Sequence, residues 1–277
     1  MPRNSNSAVF AKCDPSIPPA DGHCFLFKLP LELRDIIYKY ALAANHGLIA
    51  QMDAPSEIWF YEATSTLAQP ICEFNQLQYT NKQLRAETKG LMLELNDLTF
   101  PTTTAQRGTD VAITFLEQCC DTIKARLGNI HACYGDTVEY FAERAIFQNI
   151  RDAGPFSQHC SRYQKSRILV YLPVTKDTEI WGWIGFMNLI QRLIRGRSVF
   201  TGLPVSLEAG WEWLVQILSR EWSAGVKNVP VNLRIVPSRR TGTAKELLAQ
   251  LARHHTTGRN SVHGLVAAAN KIFEEGL

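Results

Sequence analysis

The chain carries none of the short signatures that mark the commoner enzyme classes. There is no Gly-x-x-x-x-Gly-Lys-Ser/Thr phosphate loop, no Gly-x-Gly-x-x-Gly turn, no Gly-x-Ser-x-Gly elbow and no His-Glu-x-x-His pair. Gly196, Gly202 and Gly210 lie too far apart to cradle a phosphate, and read as helix ends and turns. No apolar run approaches the ~20 residues that span a bilayer, so no membrane segment is expected. Residues 1–20 lack the apolar stretch of a secretory signal and are rich in Ser, Asn and Pro. They predict a flexible tail over 1–23 and an intracellular protein, cytoplasmic or nuclear. The 7 cysteines are an odd number, form no Cys-x-x-Cys pair and are absent after Cys160, which excludes a disulfide framework and leaves reduced thiols. A fixed-period repeat is also missing.

Two residual possibilities for chemistry fail on spacing. Arg253-His254-His255 and His263 form the densest histidine group, but neighbouring helical histidines diverge by about 100° and no carboxylate sits at ligand spacing. Neither a metal site nor a cofactor is expected. His131 and Cys133 share one face of a strand yet lie ~7 Å apart, too far for a base and its nucleophile. No catalytic residue is assigned.

With 277 residues, 45% hydrophobic and 20% charged, the composition is that of a globular protein large enough for a small module followed by a larger domain. The net charge of +3 hides an asymmetry. Residues 1–159 hold 13 Lys+Arg against 18 Asp+Glu, giving −5, and residues 160–277 hold 16 against 8, giving +8. A basic half favours an acidic protein surface or a nucleic acid as partner.

Residues 25–42 carry the most organised pattern. Pro30 suits a first helical turn and Glu32 complements the positive end of the helix dipole, so a helix is predicted from about Leu29. Leu33, Ile36, Ile37, Tyr40 and Ala41 fall on one stripe, the expected core face, while Leu31, Tyr38 and Leu42 fall nearly opposite. A helix with two apolar sides needs a second cover, from this chain or from another protein. Asn45-His46-Gly47 offers a stop with Gly47 left-handed. A second helix opens on a Thr80/Gln83 capping box and presents Leu84, Leu91 and Leu95 to the first. On this packing Leu33→Asp disrupts the fold.

The remainder alternates strand-like and helix-like pieces. Short extended segments are expected at Leu48–Gln51 and Ile58–Tyr61, and strands at Gly128–Tyr134, Arg167–Leu172 and Val229–Pro237. Helices are expected over Val111–Ile123 and Val138–Asp152, from Thr178, Ser206 and Thr243, and over Ser261–Glu275. The fold class is therefore α+β or α/β: a small N-terminal helical module, then a helix-rich α/β domain with a few mainly parallel strands.

Leu29-Pro30-x-Glu32-Leu33-Arg34-x-x-Ile37-Tyr38, followed by Asn81-Lys82-Gln83-Leu84-Arg85-Ala86-Glu87 and Asn96-Asp97-Leu98-Thr99-Phe100, resembles the F-box-like domain of a large group of fungal proteins. The likeness covers roughly residues 25–100. It implies an F-box-like module at 24–98 and a recognition domain at 99–277. It further implies docking onto the Skp-type adaptor of a cullin-RING ubiquitin ligase through Leu29, Pro30, Leu31, Leu33, Ile37 and Tyr38, with a protein substrate held by the other domain.

Trp183 and Trp213, each two residues from another Trp, and the basic residues Arg234, Arg239 and Arg240 form a candidate recognition face. The alternatives are that the helices only cap a single α/β scaffold whose basic half binds nucleic acid or an acidic protein, or that the chain is a diverged enzyme without a motif. The arginines are not interleaved with aromatics as in single-strand binders.

Overall fold

Alternating apolar residues in the extended segments pair into one sheet. The computed structural model describes residues 25–54, 57–63, 74–103, 105–133, 154–173, 229–238, Ala267 and Lys271. Among these the strands are β1 (Leu48–Ala54), β2 (Glu57–Glu62), β3 (Leu98–Phe100), β4 (Asn129–Cys133), β5 (Arg167–Pro173) and β6 (Leu233–Ser238). Their order is β2-β1-β3-β4-β5-β6. Only the β1–β2 hairpin is antiparallel; the other four pairings are parallel. This is the mostly parallel α/β arrangement expected.

Register makes the two faces of the sheet chemically distinct. Leu48, Leu98, Ile130, Ile168 and Leu233 stand side by side across five strands and are all buried. On the same face, Phe60 and Phe100 pack their rings against Phe115, with centroids 5.5 and 5.3 Å away. Phe115 comes from α4 (Gly108–Gln118), which connects β3 to β4. The opposite row, Ile49, Thr99, His131, Leu169 and Arg234, is half-buried. Gly108 begins α4 directly over the strand ends. A Cβ there would lie 1.9 Å from the Phe100 carbonyl oxygen, so only glycine lets the helix approach.

The N-terminal helices are α1 (Leu31–Leu42), α2 (Lys82–Thr88) and α3 (Leu91–Leu95), preceded by a 3-10 turn at Phe25–Lys28. Pro30 is the N-cap of α1, one place before the first turn. α1 ends at Ala43, and Gly47 takes its left-handed φ of 76° in the turn that follows. The expected second helix is two helices, because Gly90 adopts φ 77° between them. Its cap is Asn81, whose side chain accepts from the Gln83 N–H at 2.7 Å. Thr80 instead donates its hydroxyl to the Leu77 carbonyl. The helix expected over Val111–Ile123 is likewise divided: Cys119 and Cys120 are extended, and α5 (Asp121–Lys124) follows. Residues 154–162 form α6.

Two expectations are overturned. The boundary drawn at 98/99 falls inside β3, and β1 and β2 belong to the same sheet as β4–β6. The core face of α1 is also the reverse of the one expected. Tyr38 (0% exposed) and Leu42 (1%) are the buried residues of α1, packed with Leu84 and partly buried Leu26, Phe27, Leu77, Leu91 and Leu95. Leu33 (47%), Ile36 (50%), Ile37 (41%) and Tyr40 (85%) face outward.

The tail over 1–23, the helix expected at Val138–Asp152 and those from Thr178, Ser206 and Thr243 lie outside the described residues. Of the last expected helix only Ala267 and Lys271 are described, and both are helical.

Candidate functional site: the outward face of the first helix

The polar residues of α1 decide which side turns inward. Arg34 donates to one carboxylate oxygen of Glu87 on α2, and the Tyr38 hydroxyl donates to the other. Gln83 adds a third donor to Glu87 at 2.9 Å. Burial opposes ionisation of Glu87, but the hydrogen bonds from Tyr38, Gln83 and Arg34 outweigh it, so its carboxyl titrates below the ordinary range. Burial and the same carboxylate push the Tyr38 phenol up to about 12. An alternative packing with Leu33 and Ile37 inside would turn Arg34 and Tyr38 toward solvent and leave the Glu87 carboxylate without two of its three donors.

The junction from α1 to the sheet is fixed in the same way. Asn96 is buried and donates to the carbonyls of Leu42 (2.6 Å) and Met92 (2.7 Å), while its Oδ1 accepts from the Ala44 N–H at 2.6 Å. The Asn45 N–H donates to Glu62, and the Leu48 N–H donates to the Asp97 carbonyl at 2.8 Å. Of the residues on which the resemblance rests, Arg34, Tyr38, Asn81, Glu87 and Asn96 are spent on hydrogen bonds inside the chain.

Alongside exposed Glu32, Asp35 and Lys39, α1 leaves large apolar side chains on the surface. Leu33, Ile36, Ile37 and Tyr40 recur at i, i+3, i+4 and i+7, a continuous stripe along α1. Leu31 and Phe25 are exposed near its N-terminal end, and the ammonium of Lys28 lies 4.9 Å from the Phe25 ring centre. Of the expected docking residues, Pro30, Leu31, Leu33 and Ile37 are exposed and Leu29 is half-buried. Tyr38 is the correction: it is enclosed by the chain and supports the surface from behind. Ile36 and Tyr40 are surface residues that sequence periodicity assigned to the core, and Phe25 lies outside the motif. The signal for Ile36 and Tyr40 was present, since they share the period of Leu33 and Ile37.

Of the second expected face only Arg234 is among the described residues. Arg234 sits on β6, half-buried and in register with Leu169, four strands from β1, or about 19 Å across the sheet. Trp183, Trp213, Arg239 and Arg240 lie outside the described residues, as do His254, His255 and His263.

Other clusters of reactive groups are engaged structurally. His131 hydrogen bonds through Nδ1 to the Tyr171 hydroxyl at 3.0 Å, with the Asp97 carboxylate 3.7 Å from Nε2. Burial holds its pKa below the ordinary value despite Asp97. Cys119 and Cys160 are buried, and desolvation pushes each thiol up to about 12, which makes both poor nucleophiles at neutral pH. A depression of about 240 Å³ between α4, α5 and α6 is lined by Glu117, Lys124, His159 and Arg162 among others; Arg162 is already paired with Asp121 at 2.8 Å.

Among the described residues, no group of His, Cys, Asp and Glu is arranged to hold a metal ion, and no helix is long and apolar enough to cross a membrane. Comparison of the chain with protein-family models, with characterised proteins and with solved structures yields no match.

Proposed function

We propose that this chain is a non-catalytic interaction protein that docks through the outward face of α1, and that its partner is the Skp-type adaptor of a cullin-RING ubiquitin ligase. One observation carries the proposal: α1 is locked in place by its polar side while four large apolar side chains on the other side stay 41–85% exposed. Contiguous apolar surface of this kind marks an interaction site. The choice of adaptor rests on the resemblance of residues 25–100 to the F-box-like domain. In that role the chain breaks no bond. It holds a protein substrate close to the conjugating enzyme and raises its effective concentration there.

The test is binding of the purified full chain to a Skp-type adaptor. Leu33→Asp and Ile37→Asp, at exposed positions, should retain the fold and weaken binding by more than about thirtyfold, whereas Lys28→Ala should change it little. Absence of binding with both proteins folded refutes the adaptor as partner. A second reading draws on the shared sheet: because β1 and β2 belong to the same sheet as β5 and β6 of the basic half, the helices also suit the role of a cap on one scaffold. On that reading the basic half binds nucleic acid or an acidic protein. A salt-sensitive mobility shift with RNA or DNA, unaffected by Ile37→Asp, would select it.

A further inference from the structure

The outward stripe of α1 is bordered on one side by charges arranged for a copy of itself. With Leu33 and Tyr40 as successive equivalent positions seven residues apart, Glu32 and Lys39 immediately precede them on the same flank. Both side chains are exposed, and among the described residues neither makes an ion pair or side-chain hydrogen bond. Seven residues of helix separate them by about 10 Å along the axis.

Two-fold symmetry turns that spacing into complementarity. When two copies of α1 pack antiparallel about an axis near Ile36 and Ile37, the flank bearing Glu32 and Lys39 faces the same flank of the other copy, in reverse order. Glu32 of each copy then lies opposite Lys39 of the other, giving two reciprocal pairs at the edge of a seam of Leu33, Ile36, Ile37 and Tyr40. Parallel packing would instead set this flank against Ile37, Ala41 and Arg34, whose guanidinium is already paired with Glu87. The stripe offers on the order of 400 Å² of apolar surface per copy, at the small end of protein–protein interfaces, which suits a reversible association.

We infer that a second copy of this chain binds the outward face of α1 as an antiparallel two-fold dimer. Where that face is also the adaptor-docking face, a point that rests on the proposed function, the dimer and the adaptor complex exclude each other, and the dimer is the closed form.

Sedimentation velocity on the full chain over the micromolar range tests this. Wild type should show a concentration-dependent dimer. Glu32→Lys and Lys39→Glu, each placing like charges opposite one another twice, should each raise the dimer Kd by about tenfold or more. An equimolar mixture of these two single variants should form a heterodimer near wild-type affinity, and the double swap E32K/K39E should restore the homodimer. Both substitutions oppose the helix dipole, so an effect acting only through helix stability would be worst in the double variant. A chain that is monomeric throughout refutes the inference. So does a dimer indifferent to the two charge reversals, or one the mixture fails to restore. Adaptor binding by a monomeric chain would leave the proposed function standing without the dimer; a charge-dependent dimer that binds no adaptor would do the converse.

Discussion

Tyr38 and Tyr40 are the same residue two positions apart on one helix, yet one is fully buried and the other 85% exposed. Replacing each with Ala therefore separates the two sides of α1. Tyr38→Ala removes an aromatic ring from the cluster of Leu42, Leu84 and the flanking leucines, a change that costs about 3–5 kcal/mol when the cavity stays open. It also deprives Glu87 of a hydroxyl donor while the carboxylate stays held by Arg34 and Gln83. Tyr38→Phe isolates that hydroxyl and should cost roughly 1.5–3 kcal/mol, as for hydrogen bonds to a charged group. Tyr40→Ala loses little contact and gains helix propensity, so its net effect should lie within about 0.5 kcal/mol of zero. Urea denaturation followed by far-ultraviolet circular dichroism reads all three as shifts of midpoint at constant slope. Under the proposed docking, Tyr40→Ala weakens adaptor binding with no change of midpoint, whereas Tyr38→Ala acts on both. Equal losses for the two alanine variants, or a larger loss for Tyr40→Ala, would refute the orientation of α1 on which the docking face and the dimer depend.

Asn96→Ala leaves the Leu42 and Met92 carbonyls and the Ala44 N–H without their partner, and should cost roughly 3 kcal/mol in the same denaturation assay. Gly108→Ala drives a Cβ into the Phe100 carbonyl and should abolish soluble folded protein, while Gly128→Ala, with nothing within 4 Å, should be neutral; thermal melts of both variants decide this. His159 is buried, its Nε2 is 3.0 Å from the Ser166 hydroxyl and its Nδ1 has no partner among the described residues; burial, aided by Lys124, lowers its pKa to about 4. The unfolded state then binds the proton more readily. The stability tied to neutral His159 is present above its unfolded pKa near ~6.5 and is lost as pH falls toward about 4, a swing of about 3 kcal/mol. Urea midpoints from pH 7 to 4.5 should fall less steeply for His159→Gln than for wild type; parallel curves would refute the assignment.

The strands were the most legible part of the chain. Arg167–Leu172 and Asn129–Cys133 announce themselves because alternation places every second residue in the buried row, where Ile130, Ile168 and Val170 are β-branched. Sheet membership was less so: no local pattern shows that Leu48 aligns with Leu98 and, through it, with Leu233. The division of Val111–Ile123 left no trace, since the two extended residues at the break, Cys119 and Cys120, are neither Gly nor Pro. Gly90 was a visible interruption of the second helix, and its left-handed φ is what glycine permits. Neighbouring Thr80 and Asn81 can both cap a helix, and only the course of the chain at Leu77 selects Asn81. For the candidate site, periodicity revealed two apolar sides on α1 but not which one is covered. Apolar surface is interchangeable to first order, so that choice fell to Arg34 and Tyr38. Their common partner Glu87 lies about fifty residues away and cannot be identified from helical spacing.

That division of labour on α1 has a mechanical consequence. Between the last helical residue, Leu42, and the first strand residue, Leu48, the chain is held by Asn96 at Ala44, by Glu62 at Asn45 and by the Asp97 carbonyl at Leu48. Gly47 completes the junction at close quarters, since a Cβ there would sit 2.8 Å from the same Asp97 carbonyl. No free linker separates α1 from the sheet, so the helix offers its outward face in a set orientation relative to β1–β3. A protein seated on Leu33, Ile36, Ile37 and Tyr40 is thereby oriented by Asn96 and Asp97, which it never touches. The apolar stripe supplies the attraction for binding, and the polar side of the same helix, spent on Glu87 and Asn96, supplies the direction.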